Sequence, residues 1–366
     1  MDKNTYKLLT PGPLTTTETV KEQMLADLCT WDEEYKQMTQ QIRSELLHLA
    51  HADSAYTTVL MQGSGTFGVE AVFSSVIGPA DKVLIAVNGA YSQRMTEICR
   101  YHQIPYIAVE TEYDKIPDAG DLETVLRDDP AITHITMVHS ETTTGILNDI
   151  AAAGALAAAY HKKFIVDAMS SFGGVDIDVP AVGITYLVSS ANKCIQGVPG
   201  FSFIIARKDD LEQTSGMARS LALDLYAQWA VMERDGGKWR FTSPTHVVAA
   251  FAQALRELRA EGGVPVRQQR YIHTNTMLRD GMEALGFRAY ISRDVQGPII
   301  TTFLYPWDRA FDFQDMYVYL KKHGYVIYPG KLTEQDTFRL GNIGEIYEED
   351  IKKILRIFAE YMKGLV

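Results

Sequence analysis

Phe164-Ile165-Val166-Asp167-Ala168-Met169-Ser170-Ser171 is an apolar, β-branched run that stops on a carboxylate and passes into small residues. A second apolar stretch, Tyr186-Leu187-Val188, leads into Ser189-Ser190-Ala191-Asn192-Lys193-Cys194, a loop whose one charge is a lysine. Upstream, Gly63-Ser64-Gly65-Thr66-Phe67-Gly68 follows the apolar run Thr57–Met61 and opens a helical segment. Strand, turn and helix in this rhythm predict crossover units and a mainly parallel sheet.

The pattern extends on both sides. Val83–Val87, Tyr106–Val109, Ile132–Val138 and Phe201–Ala206 read as further buried strands, seven in all with the three above. Amphipathic segments Tyr91–His102, Asp121–Arg127 and Ile150–His161 separate several of them. Ligands of such sheets bind beyond the carboxyl ends of the strands. Gly63, Asn88, His139 and Asp167 fall there. After about Leu221 the pattern changes to helices Leu221–Glu233, Val247–Glu261 and Pro265–Leu285. Strands Phe287–Ile291, Ile299–Phe303 and Thr337–Leu340 then mix with helices Phe313–His323 and Tyr347–Met362, as in a smaller α+β domain. Glu348, Glu349 and Asp350 open the last helix, where acids oppose the helix dipole.

The chain has 366 residues, 46% apolar and 22% charged, with a formal net charge of −11. It is long enough for about two domains. No Lys/Arg-rich run exists to grip nucleic acid or an anionic membrane. The opening residues, Met1 to Lys7, contain no apolar signal core. Cys29, Cys99 and Cys194 are too few and too scattered for a disulfide framework or a zinc site, so a reducing cytoplasm is expected. His134 and His139 lie an odd number of residues apart along a strand and face opposite ways, so no metal site is expected.

A carboxylate, a lysine and a phosphate-binding loop are the three grips an enzyme needs on pyridoxal phosphate. The lysine forms the Schiff base, the carboxylate keeps a proton on the pyridine nitrogen, and the loop takes the phosphate. Each residue also has a plainer reading. Asp167 could cap a turn, and Lys193 could be a solvated charge. Its small, uncharged neighbours favour a lysine that loses its proton easily, because desolvation lowers an amine's pKa. Gly63-x-Gly65-x-x-Gly68 also fits a dinucleotide fingerprint, which would suit an NAD-dependent dehydrogenase. That site wants an acid at the end of the next strand, and Asn88 stands there. Tyr91 could stack on a flat ring or simply pack. His139-Ser140-Glu141-Thr142-Thr143-Thr144-Gly145 is either a capped turn or a set of hydrogen-bonding groups over a ligand. Arg339, inside the apolar strand Phe338-Arg339-Leu340, needs an anion: a structural acid, or a substrate carboxylate or phosphonate gripped by its planar fork.

Together these residues resemble the class V aminotransferases of fold type I. The resemblance runs over nearly the whole chain. It is carried by Thr10-Pro11-Gly12-Pro13, Gly63-Ser64-Gly65, Asn88-Gly89-Ala90-Tyr91, His139 to Gly145, Asp167-Ala168-Met169-Ser170-Ser171, Ser190-Ala191-Asn192-Lys193-Cys194-Ile195-Gln196-Gly197, Lys238 to His246 and Arg339-Leu340-Gly341-Asn342-Ile343-Gly344. It implies an α/β fold-type-I transferase, with a large cofactor-binding domain over residues 16–250 and a small domain made of 1–15 and 251–366. It implies pyridoxal 5'-phosphate as cofactor, with Lys193 and Asp167 catalytic. Ser64, Gly65 and Thr66 would bind the phosphate, and Tyr91 would stack on the ring. Thr143 would lie near the ring hydroxyl, and Asn192 would join the cofactor contacts. Arg339 would grip the substrate anion. Thr242 would reach the phosphate of a neighbouring subunit, which implies a homodimer with shared sites. Within the family, the blocks around Lys193 and Thr242 imply amino transfer from 2-aminoethylphosphonate to pyruvate. Serine or alanine as donor, with pyruvate or glyoxylate as acceptor, is the nearest alternative.

Overall fold

The computed structural model describes residues 6–306, 311–332 and 334–364, so Met1–Thr5 of the segment read for a signal lie outside the described residues. The seven expected strands form one sheet. In chain order they are β1 (Tyr56–Gln62), β2 (Val83–Val87), β3 (Tyr106–Glu110), β4 (His134–Val138), β5 (Lys163–Asp167), β6 (Tyr186–Ser190) and β7 (Phe201–Arg207). Their order across the sheet is β1-β7-β6-β5-β4-β2-β3. β7 runs antiparallel to both its neighbours, and every other pair is parallel. Every residue of β2, β4 and β6 is buried. Helices cover both faces, which is why these strands are continuous apolar runs rather than alternating ones.

Ten helices complete the framework used below. They are α1 (Glu33–Leu49), α2 (Gly65–Val76), α3 (Ala90–Tyr101), α4 (Ala119–Asp128), α5 (Ile150–Ala159), α6 (Leu225–Arg234), α7 (Thr245–Glu261), α8 (Gly263–Ala284), α9 (Phe313–Lys322) and α10 (Glu348–Lys363). Asp118, Asp149, Asp224 and Asp312 each accept a hydrogen bond from the first turn of α4, α5, α6 and α9. Such caps satisfy amides that have no partner within the helix. The Asp224 cap starts α6 at Leu225, later than the expected Leu221. Glu348, Glu349 and Asp350 stand in the first turn of α10 as expected. Asp350 also accepts from Tyr347 N at 3.0 Å and pairs with Lys7 at 2.7 Å.

Two large apolar clusters organise the chain. One surrounds the seven-stranded sheet and extends through Phe251, Leu255, Leu258 and Val264. The other joins Leu9, Leu278, Phe287, Phe303, Phe338, Ile354 and Phe358, and rests on β8 (Ile300–Leu304), β9 (Tyr328–Pro329) and β10 (Thr337–Gly341). Lys7–Leu8 pairs in parallel with Tyr325–Val326, which seats Leu9 in this second cluster. The expected strand Phe287–Ile291 is reduced to a bridge from Ala289 to Phe303, flanked by Tyr290 N to Thr302 O at 2.8 Å. Arg279 takes the Ile291 carbonyl at 2.8 Å and Leu147 N takes that of Val295 at 3.1 Å, which draws the chain away from β8. Among the described residues no helix is long and apolar enough to cross a membrane.

The chain lays down β2 and β3 toward one edge of the sheet, then returns beside β2 with β4. This reversal is the switch point at which a parallel sheet opens a crevice. Asn88 ends the β2 side and His139 the β4 side. Asn88 is consumed by the protein, donating to Asn148 Oδ1 at 2.8 Å and to Lys115 O at 3.0 Å.

Candidate active site

A cavity of about 530 Å³ lies at the carboxyl ends of these strands. Ser64, Gly65, Thr66, Tyr91, Asp167, Asn192 and Lys193 all line it. Three segments far apart in sequence therefore meet as expected.

The glycine loop enters α2. Gly63 has φ +113, a left-handed conformation that favours glycine. At Gly68 a Cβ would stand 2.6 Å from Ser202 Oγ, so α2 can lie directly on β7. Ser64 precedes the helix, and its side chain makes no capping bond to it. The first amides of α2 thus open toward the cavity with the positive end of the helix dipole, an arrangement that suits a phosphate. Arg94 of α3 also lines the cavity, and its Nη1 donates to Thr66 Oγ1 at 3.3 Å.

Asp167 ends β5 between Val138 and Val188. Its Oδ1 accepts from Met169 N at 2.8 Å. Burial pushes its carboxyl up to about 6, and nearby Glu141 adds to this. The Met169 amide, Lys193 and Arg94 oppose the rise without cancelling it. A buried acid in this condition is relieved by a cation placed beside it.

Lys193 follows β6. Its Nζ donates to Pro11 O at 2.8 Å, so the Thr10–Pro13 arm covers the amine. Gly12 has φ +116, and a Cβ there would stand 2.6 Å from Lys193 Cδ and 2.8 Å from Nζ. Burial lowers the lysine's pKa. Tyr91, Cys194 and Asp167 pull it back up, while Lys331 pushes it further down. Asn192 beside it accepts from Ser190 Oγ at 3.1 Å. Cys194 is buried, and burial pushes its thiol up to about 12, so it is a packing residue.

The polar turn after β4 resolves largely into a cap, although His139 Nδ1, Ser140 Oγ and Thr144 Oγ1 are buried without a partner among the described residues. Glu141 accepts from Ser92 N at 3.1 Å, Thr143 N at 3.1 Å and Thr143 Oγ1 at 2.7 Å, and so holds the start of α3. Thr143 Oγ1 accepts from Ala90 N at 2.9 Å. Ser140, by contrast, lines the cavity and has a buried hydroxyl without a partner. Thr143 is buried behind the wall rather than on it.

Tyr91 is held by charge. Its hydroxyl accepts from Lys331 Nζ at 2.9 Å, and Arg94 lies 5.1 Å from its ring centroid. Burial alone would raise its pKa. Lys331, Lys193 and a Thr142 hydrogen bond overcome that and bring it down to about 8. Arg339, on β10, is 3% exposed; burial lowers its pKa, and nearby Tyr91 opposes that shift. Its Nη1 donates to Thr142 O at 3.0 Å and its Nε to Pro329 O at 3.1 Å. Among the described residues no carboxylate lies within 4.0 Å of it, so the structural ion pair weighed from the sequence is absent. Thr242 is exposed and is not brought to the cavity within one chain.

Arg94, Lys331 and the Pro11–Gly12 arm were not singled out in the sequence as site residues, and Ser140 was weighed only as one member of the polar cluster His139–Gly145. Arg94 stands one helical turn after Tyr91, a spacing that would have revealed it. Lys331 and Pro11 come from distant segments and carry no local signal.

A parallel sheet with a switch-point cavity, a buried acid, a covered lysine and an open helix N-terminus defines a class of enzyme, and comparison with known proteins gives the same class. Residues 20–345 match the aminotransferase class-V family, and the chain belongs to it. It is an aminotransferase, with pyridoxal 5'-phosphate as its cofactor. It is 56% identical over 98% of its length, and 97% of the relative's, to a 2-aminoethylphosphonate–pyruvate transaminase of Lysinibacillus sphaericus. Identity to the protein of that name in Salmonella typhimurium is 55%, covering 97% of each chain. Solved structures share the fold at lower identity. A subgroup IV aspartate aminotransferase of Thermus thermophilus superposes with a TM-score of 0.88 at 22% identity, covering 98% of this chain and 100% of that one. An alanine–glyoxylate aminotransferase of Nostoc sp. gives 0.89 at 21%, covering 99% and 96%.

Proposed function

We propose that this chain transfers the amino group of 2-aminoethylphosphonate to pyruvate, giving phosphonoacetaldehyde and L-alanine in the breakdown of phosphonates. The observation that carries this reading is the 56% identity, over nearly the full length of both chains, to a transaminase of that name. Arg339, a buried cation near cavity-lining Tyr91 with no acidic partner among the described residues, supports an anionic substrate.

When bound, the cofactor supplies an electrophilic carbon for the donor nitrogen and an electron-withdrawing ring. Lys193 would hold it covalently, Asp167 would face its pyridine nitrogen and Tyr91 would stack on its ring. Ser64, Gly65 and Thr66 would bind its phosphate through α2. Asn192 would complete the ring contacts, while Thr143, behind the wall, would support it through Glu141 and Ala90. The residues fit this group, since the raised pKa of Asp167 is what a neighbouring cation would reverse.

The lysine is the proton carrier. Burial lowers the pKa of its Nζ, which suits it to take a proton from the amino-bearing carbon of the donor. It would return a proton to the corresponding carbon of the acceptor in the second half of a ping-pong cycle. Arg339 would grip the phosphonate in the first half and the carboxylate of pyruvate in the second.

The working unit under this reading is a cytoplasmic homodimer in which Thr242 reaches the partner's phosphate site. The exposure of Thr242 in one chain supports that role. The large domain would span residues 16–250, and the small one 1–15 with 251–366. Alanine formation from 2-aminoethylphosphonate and pyruvate, with and without added cofactor, is the test. Faster turnover of serine or alanine with glyoxylate would replace the substrate assignment.

A further inference from the structure

We propose that Lys331 is a second anion-binding group of the substrate site, acting with Arg339 to hold a doubly charged phosphonate and to favour phosphonate over carboxylate ligands. The inference rests on the aminoethylphosphonate reading above and deepens it.

Lys331 and Arg339 sit on one short hairpin. β9 pairs with β10 through Tyr328 opposite Arg339 and Pro329 opposite Phe338. Gly330 N then donates to Thr337 O at 2.7 Å, and a Cβ at Gly330 would stand 1.8 Å from Thr337 Oγ1. The two backbones are therefore pinned together just before Lys331. Its half-buried side chain crosses to the sheet and donates to Tyr91 at 2.9 Å, with Nζ 4.2 Å from the ring centroid. Arg339 lies close enough to the same tyrosine for it to offset part of the effect of burial on the guanidinium.

Among the described residues no carboxylate lies within 4.0 Å of Lys331 or Arg339. The nearby acids are occupied elsewhere: Glu141 holds the start of α3, and Asp167 accepts from Met169 N. Two cations without an acidic partner among the described residues thus stand around one tyrosine, whose hydroxyl is bonded by Lys331.

Ligand chemistry decides what they await. A carboxylate has one charge and two oxygens, which a single guanidinium satisfies with its fork. A phosphonate, like a phosphate ester, carries close to two charges at neutral pH and offers three oxygens. The third oxygen and second charge need another donor, and an ammonium is a compact point charge suited to them. Pyruvate makes no such demand.

The test uses the holoenzyme and two amine-free ligands that bind but cannot react, ethylphosphonate and propionate. Their affinities are measured by calorimetry in the wild type, Lys331→Met and Lys331→Arg. The Met variant should weaken ethylphosphonate relative to propionate by about tenfold or more, the loss expected for one charge-assisted hydrogen bond. The Arg variant should recover part of that ratio, which a merely structural role would not produce. In turnover the loss should appear in KM for aminoethylphosphonate, with kcat little changed. An unchanged ratio in Lys331→Met, whether both ligands weaken or neither does, overturns the inference. A wild type that ignores aminoethylphosphonate but still shows the ratio shift overturns the substrate reading and leaves the anion site standing.

Discussion

Lys193 Nζ and the carbonyl of Pro11 are joined by a 2.8 Å hydrogen bond, so the residue that closes the amine's pocket comes from the start of the chain. Gly12 stands against the same lysine with no room for a side chain. This contact and the acid at Asp167 give the site its testable chemistry.

Replacing Lys193 by alanine should abolish turnover while noncovalent cofactor binding persists. Borohydride reduction of the wild-type holoprotein should leave a mass adduct on the peptide containing residue 193. An adduct on another side chain, or full activity in the variant, would end the assignment.

Asp167 makes a pH-dependent contribution whose sign is fixed. Its folded pKa, about 6, lies above the ordinary 3.8, so ionisation costs stability in the cofactor-free protein. Stability is intact below the unfolded value and is lost as pH rises through the folded one. Asp167→Asn should therefore stabilise the cofactor-free protein at pH 8 by on the order of 2–3 kcal/mol, and by less at pH 5. Turnover should fall by several orders of magnitude. Denaturant unfolding at the two pH values, with a cofactor titration, checks both parts.

Gly12→Ala places a methyl against Lys193 on a backbone at φ +116. The strain is about 1–2 kcal/mol before any displacement of the lysine. A lower Tm, with a fall in kcat larger than any change in cofactor affinity, is the expected result. Unchanged steady-state kinetics would show that the arm does not order the amine.

Arg339→Ala should raise KM for both the phosphonate donor and pyruvate, by about thirtyfold or more, because truncating a buried charge-assisted contact costs roughly 2 kcal/mol or more. Separate half-reaction kinetics measure each. Loss for one substrate alone would mean that a different group binds the other.

Subunit mixing tests Thr242. Lys193→Ala and Thr242→Ala homodimers should each be impaired. Their heterodimers should regain activity, because one of the two sites then has both residues. No recovery on mixing would confine Thr242 to its own chain.

Much of this was legible because the buried strands are short β-branched runs ending in chemistry-bearing residues. Asp167, Lys193 and the Gly63–Gly68 loop were readable as one constellation before any geometry. The helices expected from Ile150 and Phe313 start at those residues, behind Asp149 and Asp312, whereas the one expected from Asp121 starts two residues earlier behind Asp118. The strand expected at Phe287–Ile291 failed because Arg279 captures the carbonyl of its last residue and Leu147 that of Val295 beyond it. Apolar periodicity carries no record of such distant partners. Lys331 was silent for the same reason: its partner, Tyr91, lies on the other side of the molecule's sequence. Arg339 was visible as an oddity, yet only the absence of a nearby acid among the described residues separates a ligand grip from a structural pair.

The short N-terminal ladder has a mechanical meaning. Leu9 belongs to the second apolar cluster, and its carbonyl accepts from Gly341 N at 3.0 Å, while Pro11, two residues on, latches the lysine above the main sheet. The hairpin that ends at Gly341 also carries Arg339. Any swing of that layer would lift the latch and withdraw the guanidinium in a single stroke, so exchange of ligands and unmasking of the amine would be geared together.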